Sequence, residues 1–153
     1  MNTTYMQRTY WKDDFFKTGS KNIFLYICGE STCNAPESAR FWTEVGNLNN
    51  AVLYIAEHRY YGESQPRPDW STPNLKYLSA EQALADLANF VQAKNDELNL
   101  KYGYNDWQWV VVGGSYPGAL SAWFKFKYPH LVKISWASSG VVHAIKDFTK
   151  FDY

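Results

Sequence analysis

Val110-Val111-Val112-Gly113-Gly114-Ser115-Tyr116-Pro117-Gly118-Ala119 sets a β-branched apolar run against two glycines, a serine and a proline. The run closes a predicted strand, Trp107 to Val112, and Pro117 opens a predicted helix ending at Lys127, so Ser115 falls on a strand-to-helix turn. In a nucleophile elbow such a turn is sharp enough to strain the serine backbone. Side chains two residues before or after the serine would then collide with the neighbouring strand and helix. Gly113 meets that need on one side. On the other stands Pro117, and the glycine comes one residue later, at Gly118. Proline is compatible with the turn, because it lacks an N–H that the first helical turn leaves unpaired and its φ suits a helix start. It also leaves the Tyr116 N–H free to face an oxyanion. Taken alone, these residues fit an ordinary Gly-Gly-Ser turn before a helix better than a nucleophile.

Outward from the turn, strands and helices alternate. Ile23 to Cys28 and Ala51 to Ala56 are short apolar runs that read as buried strands, and Ile134 to Ser138 is a fourth strand. Between the first two, Pro36 to Val45 is predicted as a helix with Phe41 and Val45 on one face. Ser79-Ala80-Glu81-Gln82 fits a capping box, and Leu84, Leu87, Val91 and Leu98 form one stripe of a helix reaching about Leu100. Such alternation predicts an α/β fold with a mainly parallel sheet and helices on both faces. The loop from Gly62 to Tyr77, with Pro66, Pro68 and Pro73, is either a site-shaping loop or a surface excursion.

The 153 residues, 46% hydrophobic and 18% aromatic, suffice for one globular domain. Lys plus Arg balances Asp plus Glu at 15 each, so no net field draws the chain to nucleic acid or to anionic lipid. A small or peptide substrate is the class left. No apolar run approaches the roughly 20 residues of a membrane span, and the first residues carry no secretory signal pattern. Cys28 and Cys33 leave two options open, a local disulfide in an oxidising compartment or two thiols. With no His cluster beside them, neither a metal nor any other cofactor is expected.

A serine hydroxyl requires a general base, usually a His oriented by a carboxylate. The three histidines are poor candidates. His130 lies beyond a helix rising about 1.5 Å per residue, which puts it roughly 20 Å from Ser115. His58 precedes the serine, against the Ser, Asp, His order of α/β-hydrolases, and no carboxylate separates Ser115 from His143. All three are expected to be structural or surface residues, and the base is expected outside the chain. A sheet ending at Ile134 to Ser138 would also leave an edge and apolar faces uncovered.

Four stretches, taken together, carry a resemblance to a family. They are Tyr26-Ile27-Cys28-Gly29-Glu30, Glu57-His58-Arg59-Tyr60-Tyr61-Gly62-Glu63-Ser64, Tyr77 to Asp86, and Gly113-Gly114-Ser115-Tyr116 running on to Leu131. In order and spacing the chain resembles the lysosomal Pro-X carboxypeptidase, dipeptidyl peptidase II and thymus-specific serine protease group of α/β-hydrolase serine peptidases. It departs from the group at Pro117 and at Cys28, where many relatives carry a glycine or another small residue. The resemblance implies that Ser115 is the acyl-forming nucleophile and that the peptide substrate is cleaved after proline by an exopeptidase. It also implies an oxyanion hole from the Tyr116 N–H and a second N–H at Gly29 or Glu30. It implies further that the chain is an N-terminal part of the catalytic domain, lacking a helical insertion and the strands that bear the triad Asp and His. A lysosomal, vacuolar or secreted location follows from the same likeness, as does the option of a homodimer for the full-length form. Asn2-Thr3-Thr4 is a glycosylation sequon.

Glu57, His58 and Arg59 stand at a strand's carboxyl end, where open α/β sheets bind ligands. Glu57 and His58 are therefore candidates for substrate contact, with a buried ion-pair network supporting the elbow as the stronger alternative. Glu30 either holds a substrate amine or accepts backbone hydrogen bonds. Two other functions stay open: an esterase or lipase on the same scaffold, and a truncated, non-catalytic chain. Without base and orienting carboxylate, the 153 residues alone are expected to turn over negligibly.

Overall fold

The computed structural model describes residues 4–35 and 40–152. Five strands form one sheet in the order β1-β3-β2-β4-β5. They are β1 (Thr9–Lys12), β2 (Asn22–Ile27), β3 (Val52–Ala56), β4 (Gln108–Gly114) and β5 (Ile134–Ser138). The last four run parallel, and β1 alone pairs antiparallel, with Thr9 opposite Ala56 and Lys12 opposite Leu53. Helices α1 (Arg40–Leu48), α2 (Thr72–Leu75), α3 (Ala80–Tyr102) and α4 (Tyr116–Lys127) occupy the crossovers, and a 3-10 turn closes Thr149–Asp152.

Strand periodicity separates two cores. Ile23, Leu25 and Ile27 of β2 point with Val52, Tyr54, Trp109 and Val111 toward α3 and α4, against Leu87, Val91, Leu120 and Phe124. Phe24 points the other way, with Leu53 and Val112, against Trp42 of α1. The two buried indoles of the first layer find acceptors on α3: Trp107 Nε1 donates to Asn99 Oδ1 at 2.9 Å and Trp109 Nε1 to Asn95 Oδ1 at 2.7 Å.

The long helix matches its sequence signals. Leu84, Leu87, Val91 and Leu98 are all buried, the Ser79 hydroxyl caps the N-terminus by accepting from the Gln82 N–H, and Gly103 ends the helix at φ 73°. The capping box is only half made, because Gln82 Oε1 accepts from Arg59 instead of the Ser79 N–H. Two sequence expectations change. The helix expected over Pro36 to Val45 runs on to Leu48, its first residues lying outside the described ones, and of the pair Phe41 and Val45 only Val45 packs on the core. Trp42 is 3% exposed while Phe41 is 61% exposed, because Trp42 meets Phe24 edge-on at 5.3 Å and Gly46 lets α1 close onto Leu53. The loop from Gly62 to Tyr77 also contains α2. Strand β1 had no counterpart in the sequence reading. The Asn2 sequon lies outside the described residues.

Candidate active site

Ser115 stands alone between β4 and α4 at φ 62° and ψ −126°, a region that non-glycine residues enter only under strain of order 1–3 kcal/mol. Its side chain is exposed, and among the described residues its hydroxyl has no hydrogen-bond partner. Two backbone bonds hold the strain in place: the Ser115 N–H donates to Ser138 O at 3.0 Å, and Ser115 O accepts from the Ala119 N–H at 3.1 Å. Gly113 is required here, since a Cβ on it would lie 2.1 Å from Pro117 O.

The same geometry explains the displaced glycine. Pro117 is buried, and a Cβ on Gly29 would fall 2.6 Å from its Cγ, so the loop after β2 supplies the space that a glycine after the serine would otherwise leave. Gly118 then serves β5, because a Cβ on it would lie 2.6 Å from Ser138 O. Tyr116 is the first residue of α4, where an N–H has no intrahelical partner by position.

Three loops thus meet at the carboxyl ends of β2, β3 and β4. After β2, Cys28 and Cys33 form a disulfide with Cα atoms 5.9 Å apart, which settles the option the sequence left open. Gly29 is half-buried and Glu30 exposed within that loop. After β3, His58 Nδ1 lies 2.8 Å from Arg59 O, a group that only accepts, so the proton is on Nδ1. Nε2 therefore accepts from the Tyr116 hydroxyl at 2.9 Å. Burial, reinforced by the Arg59 charge, holds the imidazole below the usual histidine range despite the Arg59 carbonyl and the Asp86 and Glu30 carboxylates. Burial, with the charges of Tyr61 and Glu30 adding to it, pushes the Tyr116 hydroxyl up to about 12, so it remains a donor at neutral pH.

Of the Glu57-His58-Arg59 cluster, only Arg59 forms an ion pair among the described residues. Its Nε and second terminal nitrogen each reach Asp86 at 2.7 Å, a bidentate pair at side-chain exposures of 7% and 14%. Tyr5 Oη also donates to Asp86 Oδ2, and Arg59 reaches Tyr77 O. Glu57 is 1% exposed and accepts from four donors: the Cys33 N–H at 3.0 Å on Oε1, and the Glu63 N–H, Ser64 N–H and Ser64 Oγ on Oε2. Neither the ion-pair expectation nor substrate contact describes Glu57, whose oxygens are occupied by loop donors. Gly62 is the turn's necessary residue, at φ 52° and with no room for a Cβ beside Glu57 Oε1.

Ser115, Tyr116, Gly29, Glu30 and His58 are thereby brought to one end of the sheet, with Glu57 beneath them. His130, past the far end of α4, and His143, after β5, are exposed. Nothing in the sequence marked Ser138 or Gly140, the latter so close to Gly118 that a Cβ on it would lie 3.1 Å from the Gly118 carbonyl carbon, as supports of the elbow, because they act through backbone atoms.

The chain matches the family model described as serine carboxypeptidase S28 over residues 1–153. A serine protease of Arabidopsis thaliana is 43% identical over 97% of this chain and 31% of its own length. The thymus-specific serine protease of Mus musculus is 37% identical over 97% of this chain and 29% of its own. The lysosomal Pro-X carboxypeptidase of Homo sapiens is 35% identical, covering 94% of the chain and 29% of that protein. The chain thus spans less than a third of the curated relatives it matches. Among solved structures, a dipeptidyl aminopeptidase IV from Bacteroides ovatus superposes with TM-score 0.55 at 15% identity, over 86% of this chain and 20% of that one. The chain has the α/β-hydrolase fold in part.

Proposed function

The chain belongs to the serine carboxypeptidase S28 family, and from that membership we propose that it carries the nucleophile of a proline-preferring serine exopeptidase. Ser115 attacks the scissile carbonyl and forms the acyl-enzyme. The Tyr116 N–H and one from Gly29 or Glu30 receive the oxyanion, each worth about 10²–10³ in rate. The observation that carries this reading is the Ser115 backbone, strained at φ 62° with an exposed and unengaged hydroxyl.

His58 is not the base in this reading. Its Nδ1 proton is committed to Arg59 O, and its Nε2 lone pair accepts from Tyr116. Base, orienting carboxylate and a helical roof come from sequence outside these 153 residues, which form the N-terminal part of the catalytic domain. The isolated chain then has negligible turnover. A lysosomal, vacuolar or secreted setting suits the Cys28–Cys33 disulfide.

Two substrates test the reading on the polypeptide translated from the complete gene. A Pro-containing peptide is cleaved next to the proline faster than its alanine counterpart, and Ser115→Ala abolishes the cleavage. Turnover confined to a simple ester would overturn the peptidase assignment in favour of an esterase. Full cleavage by Ser115→Ala would remove Ser115 from the mechanism.

A further inference from the structure

We infer that Glu57 is a positioning residue for the oxyanion hole: its buried carboxylate fixes the Cys28–Cys33 loop, and with it the Gly29–Glu30 backbone, relative to the Ser115 elbow. The inference rests on the acyl-enzyme reading above, since it assigns Glu57 a task only if that backbone faces the oxyanion.

A buried carboxylate is costly unless fully hydrogen-bonded, and among the described residues no cation pairs with Glu57. Its four donors divide unequally. Oε2 takes the Glu63 N–H, the Ser64 N–H and the Ser64 hydroxyl, all in the turn that follows Glu57 in its own loop. The Ser64 hydroxyl is directed there because its oxygen already accepts from the Arg8 N–H. Among the described residues Oε1 takes only the Cys33 N–H, and that bond alone of the four crosses to the loop after β2.

Cys33 is one end of the short loop. The other end, Cys28, is joined to it by the disulfide and donates its N–H to Ala56 O at 3.0 Å. Gly29 and Glu30 therefore hang between two fixed points, with Gly29 pressed against Pro117 of the elbow helix. Oxyanion donors act over 2.7–3.1 Å, and a misplacement near 1 Å costs about 10²-fold, so the anchorage of this loop bears directly on the transition state.

Glutamine at position 57 separates this task from general stability. Its carbonyl can keep the three donors of the turn, which leaves its amide nitrogen facing the Cys33 N–H, donor against donor. Glu57→Gln thus cuts the inter-loop bond and spares the turn.

The test uses the polypeptide translated from the complete gene, with a Pro-containing peptide as substrate and amide exchange followed by mass spectrometry. Glu57→Gln is expected to lower kcat about 10- to 100-fold with KM within about threefold, as loss of a group acting mainly in the transition state does. Exchange should quicken at residues 29–33 and stay unchanged at Glu63 and Ser64. Mild reduction of the wild-type disulfide should give the same signature, and reducing the variant should add little. An unchanged kcat with a loosened loop would overturn the inference, as would a rise in exchange across the whole β3 turn. Ser115→Ala run alongside keeps the two readings apart. If it retains turnover, the acyl-enzyme reading fails whatever Glu57 does; if it is inactive while Glu57→Gln keeps wild-type kcat, only the positioning role fails.

Discussion

On the β3 side of Ser115, a bidentate ion pair, a carboxylate with four donors, a disulfide and a Tyr–His bond lock the strand-end loops together. On the β5 side, Ile134 and Trp136 are 55% and 44% exposed, and Val141 to Phe148 lie open. Trp136 meets Phe41 edge-on across a cleft of about 400 Å³, whose wall includes Trp42 and Val112. Among the described residues the buried indole N–H of Trp42 has no partner. Both flanks support the same serine, yet only one satisfies its polar groups and covers its apolar ones. The loops that pack on the elbow are thus locked on the β2–β3–β4 side, while β5 gives the Ser138 carbonyl that holds the Ser115 N–H, and Gly140 beyond β5 leaves room for Gly118.

The comparison breaks most sharply at Arg59. Arg59→Ala leaves the largely buried Asp86 with Tyr5 as its remaining donor, and should cost about 3 kcal/mol in urea unfolding. A loss below 1 kcal/mol would mean the β3 flank is no tighter than a surface. A smaller effect, about 1–3 kcal/mol, is expected for Gly29→Ala, whose new Cβ meets the Pro117 ring. Pro117→Gly in the same chain should recover most of that loss, an interaction energy readable from a double-mutant cycle.

His58 sharpens the contrast through pH. Its folded pKa is lowered by burial, so on acidification the unfolded chain binds a proton that the folded chain refuses. The stability it contributes is complete above about pH 6.5 and declines as pH falls from there toward the folded value. Urea midpoints should fall with acidity in that window, and His58→Gln should flatten that part of the slope. Smallest of all, Trp136→Ser on the open flank should change stability by no more than about 0.5 kcal/mol while reducing self-association measured by light scattering.

Much of this was legible in the sequence. The stripe of α3 and its Ser79 cap marked that helix, and the strand before Ser115, the helix after it and the four matched stretches together marked the elbow, which the glycines alone did not. Strand β1 was missed because Thr9–Lys12 is a short edge strand with Trp11 outward, which breaks the apolar signature of a buried strand. Of the α1 pair read as one face, Val45 packs on the core and Phe41 does not, because Phe41 and Trp42 are adjacent and both apolar and only the sheet decides which turns in. Glu57 read as a member of a charge cluster because three of its four donors are backbone N–H groups, which leave no mark in a sequence. Pro117 looked like a defect in the motif because its compensation, Gly29, lies 88 positions earlier in the chain.

The proposed role of Ser115 is that of an activated nucleophile. Intact-mass and peptide mapping of the full gene product treated with a fluorophosphonate tests it directly. One adduct is expected, on the peptide containing Ser115, formed in step with loss of peptidase activity. Activity lost with the adduct on another serine, or retained with Ser115 fully modified, would contradict it.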